Sequence, residues 1–293
     1  MSTQFEIFNH FNVQKRRDLV KCKTYDSTYE LIQSAIHDRS WIAISGPIGS
    51  GKSETAFDII ETLRNRDAKM RIVDIYSPDR EGIKIPNIMN SIIYQLGNEL
   101  IGSTSVRRDM EARTMQVLRI LSAAKAKGMK ILVVIDEAHE LHGNTLKAIK
   151  RLREHRFDGQ RDLMTVIMIG QEALSAKLSR DEEVGLRCDS YAFAYTEAEL
   201  ERIAKHHSFN MLAEQDCRVL AKRYKKPLAI VHGIYEAMQH AYMIGKEQIS
   251  LSDFDLPDEK EQPKKKARKK VEIDPKAADK LNGKFTGPKV VNQ

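Results

Sequence analysis

Five short apolar runs are spaced along the first 195 residues, and between them apolar residues recur every third or fourth position. The runs are Trp41-Ile42-Ala43-Ile44-Ser45, Arg71-Ile72-Val73-Asp74-Ile75-Tyr76, Lys130-Ile131-Leu132-Val133-Val134-Ile135, Met164-Thr165-Val166-Ile167-Met168-Ile169 and the weaker stretch 189–195. Each predicts a strand, and the uninterrupted β-branched run from Lys130 predicts a central parallel strand buried on both faces. Leu31, Ile32, Ala35 and Ile36 predict a helix over 24–38, and Ala56, Ile59, Ile60 and Leu63 a second. Met89, Ile92, Ile93, Leu96 and Leu100 mark a third after Pro86, and Leu118 and Leu121 face inward from a fourth over 107–127. Two more are expected over 143–155 and 172–179. Strands alternating with helices predict a doubly wound α/β domain around a parallel sheet.

After Thr196 the pattern is helical alone. Thr196 followed by Glu199 is a capping box that opens a helix carrying Leu200 and Ile203. A second helix is expected over 213–224, and a third carries Ile230, Val231, Ile234, Tyr235, Met238 and Tyr242. The expected division is an N-terminal arm over 1–23, the α/β domain over 24–195, a small C-terminal α-helical lid over 196–256 and a basic tail over 257–293. The arm, basic around Lys15-Arg16-Arg17, reads as a solvated lead-in ahead of the alternative, an arm against the nucleotide or a neighbouring subunit. The tail is poor in apolar residues and is expected to be disordered.

Composition changes this picture little. The chain has 293 residues, 41% hydrophobic and 30% charged, which is ordinary for a globular protein. No run of about 18 apolar residues exists, so no membrane span is expected. Residues 1–12 lack the apolar core of a secretion leader. Cys22, Cys188 and Cys217 lie far from one another and from any histidine at metal-ligand spacing, so reduced, partly buried thiols of a cytoplasmic protein are expected. The net charge of +7 is uneven, because residues from Pro257 onward hold 11 Lys/Arg against 6 Asp/Glu. Polyanion contact by the body must therefore come from local clusters.

The chemistry concentrates at strand ends. Gly46-Pro47-Ile48-Gly49-Ser50-Gly51-Lys52-Ser53 fits G-x-x-x-x-G-K-[ST] at every fixed position, between a predicted strand and a predicted helix. Glycines there let backbone N–H groups close on phosphate, Lys52 suits the β- and γ-phosphates, and the Ser53 hydroxyl suits Mg²⁺. Gly46, Pro47, Gly49, Ser50, Gly51, Lys52, Ser53 and the following Glu54 make the expected nucleotide-binding set, with Asp136 opposite. The 130–135 run ends in Asp136-Glu137. At the carboxyl end of a central strand, Asp136 would hold the metal and Glu137 would orient and deprotonate an attacking water. Gln171 ends the next strand, where a polar side chain suits the γ-phosphate.

These features together resemble the AAA+ ATPases over roughly residues 20–256. Ile135-Asp136-Glu137-Ala138-His139-Glu140-Leu141, Ile167-Met168-Ile169-Gly170-Gln171-Glu172-Ala173-Leu174 and Lys226-Pro227-Leu228-Ala229-Ile230-Val231-His232 are similar to the branch of the transposition regulators MuB, TnsC and TniB. The secretion ATPase ExeA shares that branch. The resemblance implies a P-loop NTPase (AAA+) fold, ATP and Mg²⁺ as cofactors, and slow ATP hydrolysis stimulated by DNA and a partner. It makes Asp136 the Walker B residue, Glu137 the catalytic glutamate, Gln171 sensor 1, and Arg187 the arginine finger reaching a neighbour's ATP, with Arg180 second. The sensor 2 arginine of many relatives is missing, since Pro227, Leu228 and Ala229 occupy the nearest positions and Lys226 is the available cation. The helix-turn-helix domain that opens MuB has no counterpart expected here. Asp136-Glu137-Ala138-His139 also spells a helicase box, but a second α/β domain would not fit.

The implied partners are sequence-nonspecific duplex DNA, a transposase and further copies of the chain in a ring or helical filament, in a bacterial cytoplasm and off the membrane. DNA contacts are expected from Arg80 and Lys84, from Arg107, Arg108 and Arg113, and more weakly from Lys147, Lys150 and Arg151. The run 264–270 is a further basic segment. An ExeA-like assembly motor, or a signalling or defence switch acting on a protein, shares the core motifs.

Overall fold

The computed structural model describes residues 3–14, 16, 18–75 and 82–257. Arg80 and the segment 258–293, with its basic run, lie outside the described residues.

Five parallel strands form the centre: β1 (Trp41–Ser45), β2 (Met70–Asp74), β3 (Lys130–Ile135), β4 (Thr165–Gly170) and β5 (Asp189–Ala192), in the order β2-β3-β4-β1-β5. Side chains alternate along each strand, so each apolar run splits between two faces. Trp41, Ala43, Val133, Ile135, Val166 and Met168 join one buried cluster, whereas Ile42, Ile44, Leu132, Val134, Ile167 and Ile169 join another. That is why these three runs show no polar alternation. β5 pairs with β1 alone and all four of its residues are exposed, as an edge strand allows.

Helices α2 (Lys23–Asp38) and α3 (Lys52–Arg66) cover the second face through Ile32, Ile36, Ile59 and Ile60. The first face is covered by α4 (Ile85–Ile101), α5 (Met110–Ala126), α6 (Gly143–Glu154), α7 (Glu172–Arg180) and the short α8 (Glu182–Gly185). The doubly wound parallel α/β fold is as expected, with boundaries shifted by up to three residues. The predicted strand 71–76 is Met70–Asp74, the strand 189–195 ends at Ala192, and the helix 107–127 begins at Met110. This last shift has a cause: Asp109 is the N-cap, its carboxylate accepting from the Ala112 N–H at 2.8 Å.

The lid consists of α9 (Glu197–His207), α10 (Glu214–Tyr224) and α11 (Pro227–Met243) around Leu200, Ile203, Leu220, Ile234 and Met238. One expectation fails here. The N-terminal stretch is not a solvated lead-in: α1 (Gln4–His10) packs on α11, and Ile7 and Phe11 are buried in the lid core. Thr3 and Glu6 form a capping box at its start, a signature legible in the sequence and missed. Arg16 bonds the His206 carbonyl and stacks over Phe209, and Asp18 lies 3.0 Å from His206, so the connecting segment follows α9.

Glu199 ties lid to core. Its carboxylate accepts from the Thr196 N–H (2.8 Å) and hydroxyl (2.9 Å), and equally from the Thr24 N–H (2.7 Å) and hydroxyl (3.0 Å) in the first turn of α2. Burial alone would raise this carboxyl, but the N–H groups of Thr196 and Thr24 outweigh it and hold it down at about 2. One acid thus caps two helices of different layers.

Cys22, Cys188 and Cys217 are free and buried. No helix among the described residues is long and apolar enough to cross a membrane.

Candidate nucleotide site

β4 lies between β1 and β3, so the loops leaving these three strands emerge side by side at one edge of the sheet. The phosphate loop follows β1, Asp136 follows β3, and Gln171 follows β4 between them. Carboxyl ends of parallel strands, next to a change of strand order, are where α/β proteins hold ligands.

The loop is drawn tightly to the sheet. Gly46 donates to the Gly170 carbonyl at 3.2 Å, and a Cβ at Gly46 would collide with the Phe193 carbonyl. Gly49 and Gly51 have φ of 77° and 80°, a left-handed conformation that costs any other residue strain. Gly51 is the N-cap of α3, which leaves the first N–H groups of that helix facing the loop. Lys52 is only 7% exposed yet makes no hydrogen bond or ion pair among the described residues. The Ser50 hydroxyl is likewise buried without a partner. Unpaired buried donors are rare because they forfeit hydration, so this cradle fits an anion that supplies oxygen acceptors. Glu54 points outward and is exposed.

Opposite, the Ser53 hydroxyl donates to Asp136 Oδ1 at 3.1 Å, joining the two motifs across 83 residues of sequence. The same oxygen accepts from the Glu137 N–H at 2.8 Å. Among the described residues no cluster of three or more His, Cys, Asp or Glu could cage a metal. One hydroxyl and one carboxylate nevertheless fit Mg²⁺, which completes its shell with phosphate oxygens and water.

Glu137 has φ of 50°, a left-handed backbone at a residue with a Cβ. Such strain is held by surroundings that over-determine it and collects at functional positions. Here the surroundings are visible. Lys177 donates to the His139 and Leu141 carbonyls, and the His139 backbone packs against Gly170. The Glu137 carboxylate stays exposed, with His139 Nδ1 at 3.1 Å. Lys177 and His139 carried no recognisable signal in the sequence, since their contacts depend on a turn and a helix 36–38 residues apart.

The lid reaches this loop through α11. The Leu228 N–H donates to the Gly49 carbonyl at 3.2 Å, and the Leu228 side chain lies over the Gly49 Cα. Where relatives were expected to place a sensor arginine, the contact is a backbone bond and an apolar side chain. Lys226, the expected substitute, is the exposed N-cap of α11.

The family model described as AAA domain matches residues 35–178. Residues 35–178 are an AAA domain. Cdc6p from Pyrobaculum aerophilum superimposes with a TM-score of 0.61 at 14% identity, over 84% of this chain and 69% of that one. The Aeropyrum pernix ORC2 protein, in ADPNP–ADP complexes, gives 0.55 at 14% identity over 83% and 69%. Drosophila ORC bound to DNA gives 0.50 at 12% identity over 85% and 71%. At such identities these likenesses concern the fold. No curated protein matches the chain.

Beyond the AAA domain, the two arginine-finger candidates differ. Arg187 Nε is bonded to Glu154 at 2.8 Å, whereas Arg180 is exposed and without an ion pair among the described residues.

The basic residues within the AAA domain also sort themselves. Lys147 and Lys150 are engaged by Asp181 (3.5 Å) and Glu183 (2.8 Å), which brace α6 against α8. The expected α6 patch therefore reduces to Arg151, exposed beside a groove lined by Ile85, Met89 and Met110. Arg113 turns back to donate to the carbonyls of Arg107 and Arg108 and acts as a scaffold. Arg107 and Arg108 are exposed without side-chain partners among the described residues. Lys84 is the N-cap of α4.

Proposed function

We propose that this chain is an ATP-dependent DNA-binding ATPase that assembles on duplex DNA and recruits or activates a transposase there. The observation that carries the ATPase part is the Ser53–Asp136 contact beside an unpartnered, buried Lys52. In this reading Lys52 and the loop N–H groups bind the β- and γ-phosphates. Ser53 and Asp136 would hold Mg²⁺, which would supply charge to offset that developing on the phosphate oxygens. Glu137, exposed at the rim, orients the attacking water and accepts its proton. Gln171, between the two carboxylates and the loop, donates toward the γ-phosphate. Arg187 or Arg180 of one copy reaches the nucleotide of the next, which requires an oligomer, a ring or a helical filament.

The DNA and transposase parts rest on the motif resemblance and on the unpaired arginines of the AAA domain. Drosophila ORC, one of the similar folds, is bound to DNA in its structure. Mobility-shift titration of mixed-sequence duplex at low salt tests the reading. ATP with Mg²⁺ is expected to tighten binding over ADP, and a transposase is expected to join the ATP-bound complex. Equal affinity with ATP and ADP would sink the proposal.

A further inference from the structure

The connection between α4 and α5 is long, yet it is fixed. Gln116, buried on α5, donates to the Ser105 carbonyl at 2.8 Å and accepts from the Arg107 N–H at 3.3 Å. Arg113 donates to the Arg107 carbonyl at 2.9 Å and to the Arg108 carbonyl at 3.3 Å. Ser103 Oγ accepts from the Ser105 N–H at 3.2 Å. Gly97 lets the segment lie against α4, because a Cβ there would collide with the Ser103 carbonyl. Two buried or folded-back side chains thus hold the backbone while its own charges point away.

What they present is a polar groove of about 570 Å³ lined by Ser103, Ser105, Arg107, Gln116 and Arg119, along with Ile101, Ala112 and Met115. No carboxylate lines it. Arg107 and Arg119 are exposed and have no hydrogen bond or ion pair among the described residues, nor does the adjacent Arg108. Asp109, the acid nearest in sequence to Arg107 and Arg108, is engaged as the α5 cap. Elsewhere Arg71, Lys147, Lys150, Arg187, Lys205 and Arg218 all meet carboxylates.

We propose that this groove binds the backbone phosphates of nucleic acid, with Arg107 and Arg119 as the principal contacts. Guanidinium forks match phosphate oxygens in pairs, and serine hydroxyls add neutral donors. A preordered segment gives up little entropy on binding. No residue of the nucleotide loop lines the groove, so it is a second phosphate site. This inference rests on the reading of the chain as a DNA-binding protein and names where the duplex is held.

The test uses the full chain with ATP and Mg²⁺, and labelled mixed-sequence duplex followed by anisotropy from low to moderate salt. The Arg107→Gln/Arg119→Gln double variant is expected to bind at least ~10-fold more weakly at low salt. Its slope of log affinity against log salt should fall by about 2, one unit for each phosphate no longer neutralised. Arg107→Lys/Arg119→Lys should keep most of the slope, and nucleotide binding should match the parent in both variants. Parental affinity and slope in the Gln variant would overturn the proposal. So would displacement of the duplex by inorganic tripolyphosphate at equal phosphate concentration, which would mark a site for free oligophosphate. Preference of the parent for poly-glutamate over duplex, absent from the Gln variant, would also overturn it, in favour of an acidic protein partner. Duplex binding that is equal with ATP and ADP but still abolished in the Gln variant would sink the ATP-dependent reading and leave the groove standing.

Discussion

The phosphate-loop end of the AAA domain and the joint at Glu199 are both polar and both buried in part, but they are built on opposite rules. At Glu199 every oxygen is satisfied by donors from two helices. At the loop, Lys52 and Ser50 are buried without partners, and Glu137 is held in a left-handed backbone. Leu228 lies over the loop while 63% exposed. A satisfied cluster stabilises the native state. An unsatisfied one costs stability and is retained when a ligand completes it. Substitutions at the loop should therefore cut activity with little loss of fold, and substitutions at the joint should do the reverse.

The largest effect is expected at Glu137. Glu137→Gln should keep ATP affinity within a few-fold and lower kcat by about 10²- to 10⁴-fold, the usual worth of a positioned general base. Stability should stay within about 0.5 kcal/mol. Assemblies on DNA should then persist after ATP is added. Steady-state hydrolysis at the parental rate would remove Glu137 from its role. Lys52→Ala should abolish measurable nucleotide binding by calorimetry while leaving the melting temperature without nucleotide nearly unchanged, because the side chain makes no hydrogen bond or ion pair among the described residues. A folding defect in this variant would blur the contrast between the two regions.

At the joint the order inverts. Glu199→Gln keeps the shape but loses the charge and turns an amide N–H toward existing donors. It should cost about 1.5–3 kcal/mol at pH 7, the range for a hydrogen bond to a charged group. The pH dependence follows from the lowered carboxyl. Its contribution is fully present above the ordinary value of about 4.5 and is lost as pH falls toward about 2. The stability difference between parent and Glu199→Gln, from urea unfolding, should shrink across that window. A difference constant from pH 7 to pH 3 would mean that the Thr24 and Thr196 contacts do not form in solution.

The same contrast explains what the chain disclosed before its fold was seen. β1 was legible to the residue, and β3 except for the carboxylates that end its run, because buried central strands write continuous apolar runs. The phosphate loop, Asp136 and Glu137 were legible because their chemistry fixes spacing. The Thr196–Glu199 capping box was legible as well, but its second partner, Thr24, lies 175 residues earlier, and no local pattern marks it. α1 was missed because seven residues write less than two full periods, and the surface that buries Ile7 and Phe11 is made by the far end of the chain. Lys147 and Lys150 looked like a binding patch because α8, which neutralises them, was not foreseen beside α6. Charge in a sequence shows where cations are and not which of them are already paired.

The smallest effect tests whether the two regions communicate. Leu228 touches the loop through one N–H bond and a side chain 3.3–3.4 Å from the position of a Cβ on Gly49. Leu228→Ala removes exposed atoms and keeps the N–H, so stability should change by less than about 0.5 kcal/mol. Gly49→Ala should cost roughly 1–2 kcal/mol from the positive φ alone. It also crowds Leu228 Cβ and Cδ2, and the Cδ2 part of that cost should disappear once Leu228 is alanine. A double-mutant cycle on the two sites should therefore give a coupling of about 0.5 kcal/mol, with the double variant less impaired than the sum of the singles. Zero coupling would mean that the lid does not rest on the phosphate loop in solution. The lid would then be held to the core by Glu199 and by the Arg202 bond to the Lys21 carbonyl, and nucleotide occupancy would have no direct path to α11. Coupling that vanishes when ATP is added, but persists with ADP, would show that the γ-phosphate lifts Leu228 off Gly49.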